Sequence, residues 1–138
     1  MIQETIDDII TALTGTPGIQ GAPEQFAGNI NDLAKKPQRL PALWVVYNGA
    51  SFESRRTEAI LARHTMQFSV ILIAKNHRSR ADGAEACHPI IEAIRPRLFG
   101  RLVTDVGELW PEREQLISAV GPLFVYGLNY KIETKFIN

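Results

Sequence analysis

The longest periodic pattern in the chain lies near its C-terminal end. From Phe124 to Phe136, large side chains alternate with mostly polar ones over thirteen residues. Successive side chains of a β-strand point to opposite faces, so the pattern predicts one strand with a large apolar face. That face carries Phe124, Tyr126, Leu128, Tyr130, Ile132, Thr134 and Phe136. Because a typical strand has only about five or six residues, we expect this one to form the centre of an antiparallel or mixed sheet.

Two amphipathic helices are predicted to cover the sheet. The first spans residues 3–14, with Ile2, Ile6, Ile9, Ile10 and Leu13 at helical spacing. The second spans residues 82–99, with a stripe of Ala84, Cys87, Ile91, Ile94 and Leu98. Pro89 either bends this second helix or marks its start. A short helix after Pro23 is a further candidate, since Phe26, Ile30 and Leu33 repeat at helical spacing.

The remaining strand signals complete the predicted fold. Residues 40–48 are apolar on both faces, and residues 65–75 have one polar face only in their first half. Leu102-Val103 and Gln115 to Val120 are short candidate strands, separated by an expected loop from Asp105 to Arg113. We therefore predict one α+β domain over residues 1–138. It has a single mixed or antiparallel sheet of about four or more strands, with the two main helices packed on one face.

The polar segments carry the candidate interface residues. Residues from about 49 to 64 form either a mobile loop or a projecting β-hairpin arm. The basic turn over residues 75–80 is either a solvated loop or a contact with an acidic neighbour or with phosphates. We also expect the last strand to extend, around Glu133 to Phe136, past its own sheet towards a neighbouring copy. The interface candidates are Arg55, Arg56, Arg63, Arg78, Arg80, Lys131, Glu133 and Lys135.

Charge and hydropathy narrow the classes of partner. Fifteen basic and fifteen acidic residues give a net charge of zero, which argues against a sequence-specific nucleic-acid binder. Residues 51–101 carry nine basic and five acidic residues, whereas the flanking segments are each acidic. A chain polarised in this way could bind a copy of itself, although scattered solvated charges explain the same pattern. The chain lacks a signal-peptide pattern, and its longest apolar stretch is too short to span a bilayer, so we expect no membrane partner.

No catalytic, metal or cofactor motif stands out in the sequence. His64, His77 and His88 lack the spacing of a helix-borne metal pair, and no glycine-rich phosphate loop is present. Cys87 is the only cysteine, which excludes an intrachain disulfide. Cys87 and His88 diverge on a helix, so Cys87 is better explained as a small core residue. We predict no catalytic residue, no metal and no cofactor, and therefore a protein that is not an enzyme.

The order of segments resembles a known family of phage proteins. The N-terminal helix is followed by Phe26-Ala27-Gly28 and by the strand from Leu40 to Gly49. Then come a strand ending in Ile73-Ala74-Lys75-Asn76, a covering helix and the closing run from Val125 to Tyr130. The chain resembles the small phage tail proteins of the Mu-like gp37 type and, more distantly, the tail-terminator proteins of long-tailed phages.

The resemblance implies a function in virion assembly. It implies a subunit that forms a ring, commonly a hexamer, at the head-proximal end of the tail, where the ring stops tube polymerisation and offers a docking surface for the head. The implied partners are further copies, the tail tube protein and a head-completion protein. The implied location is the virion tail, and the host bacterial cytoplasm during assembly. The alternatives are a head–tail connector or head-completion protein, or a small enzyme or ligand-binding domain that uses Cys87 and His88.

The arm can be tested by charge reversal. If Arg55 and Arg56 contact other subunits or the tube, replacing both with Glu will weaken assembly while the melting temperature of the monomer stays nearly unchanged, because only an intermolecular contact is lost. Sedimentation of assemblies and thermal melting of the monomer measure the two quantities. A large drop in melting temperature would instead place these arginines within the fold.

Overall fold

The computed structural model describes residues 1–53, 61–75, 80–119 and 122–137, with the backbone alone described at 61–62, 80–84 and 135–137. The described residues contain three helices and six strands. In chain order they are α1 (Ile2–Leu13), β1 (Glu24–Gln25), α2 (Ile30–Lys35), β2 (Ala42–Phe52), β3 (Leu61–Lys75), α3 (Arg80–Leu98), β4 (Leu102–Val103), β5 (Gly107–Ser118) and β6 (Leu123–Ile137).

The strands form one mixed sheet with the order β1-β2-β3-β6-β5-β4. Only β1 and β2 are parallel, and every other neighbouring pair is antiparallel. β6 lies between β3 and β5, which confirms that the periodic C-terminal segment is an interior strand of a mixed sheet. The α+β class is confirmed as well.

β3 and β6 are paired along their whole length. Their register runs without a shift from Leu61 opposite Ile137 to Lys75 opposite Leu123. The expectation that Glu133 to Phe136 extend past the subunit's own sheet is therefore wrong. The physical reason is that β3 is longer than predicted, since both strands have fifteen residues and each supplies a partner for the other.

The sheet has two faces of different character. We call the side carrying Val70, Leu72 and Leu128 the inner face, and the side carrying Ser69 and Asn129 the outer face. On the inner face, one hydrophobic core joins Ile6, Ile9 and Leu13 of α1, Cys87, Ile91, Ile94 and Leu98 of α3, and the strand residues Leu43, Val45, Phe68, Val70, Leu72, Leu128, Tyr130 and Ile132. Most of each predicted stripe is therefore buried, but Ile2 at the start of the α1 stripe is exposed.

A second, smaller core lies on the outer face at one end of the strands. It joins Leu33 of α2 with Ala42, Trp44, Ile71, Ile73 and Val125. The Trp44 indole N–H donates a hydrogen bond to Gln38 Oε1 at 2.7 Å, and the Phe26 ring meets Trp44 edge-on. α2 thus covers only one half of the outer face, and the half nearer Phe52 and Leu61 remains polar.

The segment from Asp105 to Arg113, predicted as a loop, is largely strand. β5 begins at Gly107 and pairs with β6 from Leu109 onwards. Pro111 is compatible with this strand although proline has no backbone N–H. The backbone N–H and carbonyl of Leu109 form their hydrogen bonds on the side away from β6. The backbone of Pro111, two residues further along, faces the same side, where no strand requires an N–H donor. Register shifts at Pro111/Arg113 and Leu116/Ser118 interrupt the alternation and hide the strand in the sequence.

Two alternatives left open by the sequence are resolved in the described residues. The arm is a β-hairpin at its base, because β2 and β3 pair as far as Phe52 opposite His64, and the Glu53 N–H donates to the Arg63 carbonyl. Residues 54–60 lie outside the described residues. α3 runs through Pro89 from Arg80, so a helix starting at Pro89 is wrong.

Two adjacent residues of β6 test which face of the sheet contributes to the free energy of unfolding. Ile132 is fully buried in the inner core, whereas the Glu133 side chain is 72% exposed. We expect Ile132→Ala to lower the free energy of unfolding by about 2–5 kcal/mol, because it leaves a cavity in a close-packed core. The matched control Glu133→Ala will leave that free energy nearly unchanged. Urea unfolding measures both variants, and equal losses would contradict this assignment of the faces.

Candidate assembly surface

The polar half of the outer face brings together three predicted interface residues. Arg63 is exposed on β3, and Lys131 Nζ lies 3.6 Å from Glu133 Oε1 on β6. Arg63 and Glu133 line one shallow cleft of about 320 Å³, and Lys131 and Glu133 line a second of about 360 Å³ together with Trp110. Exposed ion pairs contribute little to stability, so this charged surface is available to a partner.

The other predicted interface residues are less defined. Lys135 lies opposite Arg63 in the β3–β6 register, and Arg80 is the first residue of α3, in both cases at the level of the backbone. Arg55, Arg56 and Arg78 lie outside the described residues. The structure therefore groups Arg63, Lys131 and Glu133, and the role of all eight residues in an interface stays a prediction.

Hydrogen-bonded side chains support the centre of the outer face. Asn48 Nδ2 donates to Ser69 Oγ, and Ser69 Oγ donates to Asn129 Oδ1 at 2.7 Å. This row crosses β2, β3 and β6, and the Ser69 side chain is buried within it. Because the Ser69 hydroxyl both accepts and donates a hydrogen bond, it can be buried without the cost of an unsatisfied polar group. The row separates the apolar half of the outer face from the charged half.

Several basic residues of the chain's positive middle segment bind within the subunit. The Arg101 guanidinium donates to both carboxylate oxygens of Asp8, at 2.7 and 3.3 Å. Arg95 binds Glu114 in the same two-pronged manner, and Arg97 donates to the carbonyls of Ala12, Thr14 and Gly15. The hydrogen bonds to Asp8 and Glu114 raise the pKa of Arg101 and Arg95 above its usual value. These arginines join α1, α3 and β5 and are not free for a partner.

An apolar groove opens on the inner face beside the start of α1. It has a volume of about 490 Å³ and is lined by Met1, Ile2, Tyr47, Ala50, Phe52, His64 and Met66. The Phe52 ring stacks on His64 with centroids 5.0 Å apart. We call this feature the N-terminal groove. It lies along the edge of β2, which has no neighbouring strand from Val46 to Phe52 in the part of the sheet that the structure describes.

Large apolar side chains that remain exposed form two groups at opposite edges of the sheet. Met1, Ile2 and Phe52 lie beside the N-terminal groove at the β2 edge. The second group follows the end of α3, β4 and β5 and consists of Phe99, Leu102, Trp110, Leu116 and Ile117. Of the two groups, the first lines a single groove, and an exposed apolar patch of this kind is typical of interaction sites.

Little in the sequence indicated these two groups. Leu102 was predicted in a short strand and Trp110 in a loop, and in the structure Leu102 is 76% exposed and Trp110 is 54% exposed. The available signal was the run Leu109-Trp110-Pro111, in which apolar residues occupy both faces of a strand that is bordered by acidic residues.

Cys87 and His88 lie in different environments, and Cys87 is the core residue that the sequence predicted. Cys87 is completely buried in the inner core, and burial raises the pKa of its thiol, which disfavours the nucleophilic thiolate. His88 is exposed on α3. Among the described residues, no three His, Cys, Asp or Glu side chains are grouped closely enough to hold a metal ion. Nor does any helix in these ranges have the length and apolar character needed to cross a membrane.

Comparison with known proteins identifies the family. No curated protein matches the chain. Among solved structures, the chain is similar to a chain described as "Virion of native gene transfer agent (GTA) particle", with 16% identity, a TM-score of 0.55, and coverage of 98% of this chain and 91% of that one. At this identity the likeness shows a shared fold. The family model of the phage tail terminator protein matches residues 25–130 and confirms the resemblance seen in the sequence. The chain belongs to the phage tail terminator family.

Proposed function

We propose that the protein is a tail terminator that forms a ring at the head-proximal end of a phage tail. The ring stops polymerisation of the tail tube and presents a docking surface to the head. This proposal rests on the family match, which covers three of the four long strands completely, together with the whole of α3. Membership of this family supports a structural role in virion assembly.

The geometry of the subunit supports a ring. Identical copies joined head to tail need two different surfaces that fit each other, and the contact closes into a ring if the rotation closes. This chain carries two different apolar groups, one at the β2 edge and one at the β4–β5 edge. In the proposed subunit, residues 1–138 act as one domain, and α1 and α3 cover most of the inner face, so that the edges and the outer face are available to partners.

The proposed partners follow from this position in the virion. They are further copies of the chain, forming a hexamer, together with the tail tube protein and a head-completion protein. Assembly takes place in the host bacterial cytoplasm, and the product resides in the virion tail. The proposed role requires no catalysis, no cofactor and no membrane.

The charged residues supply the proposed contacts with tube or neighbour. Arg63, Lys131 and Glu133 support this part of the proposal because they lie together on the open half of the outer face. Arg55, Arg56, Arg78, Arg80 and Lys135 are assigned to the same contacts on their sequence positions alone.

Tube polymerisation tests the proposal directly. Purified tail tube protein, polymerised with this protein in increasing amounts, will give shorter tubes with extra density at one end, because capped ends stop growing. Electron microscopy measures tube length and end density. Tube protein polymerised with a folded protein of similar size is the control.

A binding assay with portal and head-completion complexes, run beside the tube experiment, separates the alternatives. Binding to portal or head-completion complexes, with no effect on tube length, would contradict the terminator and favour a head–tail connector. Unchanged tubes and no binding to either complex would contradict both.

A further inference from the structure

We draw no further inference here: the strongest candidate, the apolar N-terminal groove beside the start of α1 and the edge of β2, is an open surface, and nothing in the structure shows what covers it.

Discussion

The pairing of β3 with β6 is the constraint on which the rest of the structure depends. Every side chain from Val70 to Ala74 in β3 is buried, so this part of the strand has no face towards water. Val70, Leu72 and Ala74 belong to the inner core, and Ile71 and Ile73 belong to the outer core. Strands buried on both faces are strongly specified, because a slip of one residue would exchange the two sets. The helices α1, α3 and α2 are placed by packing on the two sides of this one ladder.

The same ladder explains why the subunit has surfaces left for assembly. Towards the hairpin, the outer side of β3 changes from Ile71 through Ser69 to Gln67, Thr65 and Arg63, so burial on that face ends at the row of Asn48, Ser69 and Asn129. Strands β2, β3 and β6 nevertheless continue, because their backbone groups remain paired. The result is a ribbon with a charged outer face and an apolar groove on its inner face. The opposite edge of the sheet ends in β4 and β5, where exposed apolar residues accumulate.

Local patterns in the sequence predicted the elements that pack by a regular period. The alternation in β6, the stripes of α1 and α3 and the apolar runs of β2 and β3 were all recognisable, because each element buries a continuous face. β5 was missed over its first half because its bulges break the period and Pro111 suggests a turn. β1 was missed because its two residues are fixed by tertiary pairing with Trp44 and Val45 and not by any local pattern.

The interface was the hardest part to predict, for a physical reason. An exposed Leu102 and a buried Leu128 have the same side chain, and only the position of β4 at the sheet edge distinguishes them. Charged residues were easier to predict as interface candidates, but the sequence did not distinguish those that bind within the subunit from those that remain exposed. Arg101 and Arg95 hold helices to the sheet, whereas Arg63 remains exposed.

The central claim is that the lateral edges of this sheet join copies head to tail while the ladder of β3 and β6 stays within each subunit. A reconstruction of the capped tail end by electron microscopy, with the subunit fitted as a rigid body, tests it most directly. The account predicts a closed ring in which neighbouring copies meet through the lateral edges of their sheets and β6 stays paired with β3 in each copy. A ring joined through the outer faces, or one in which β6 leaves β3 to pair with a neighbour, would contradict it.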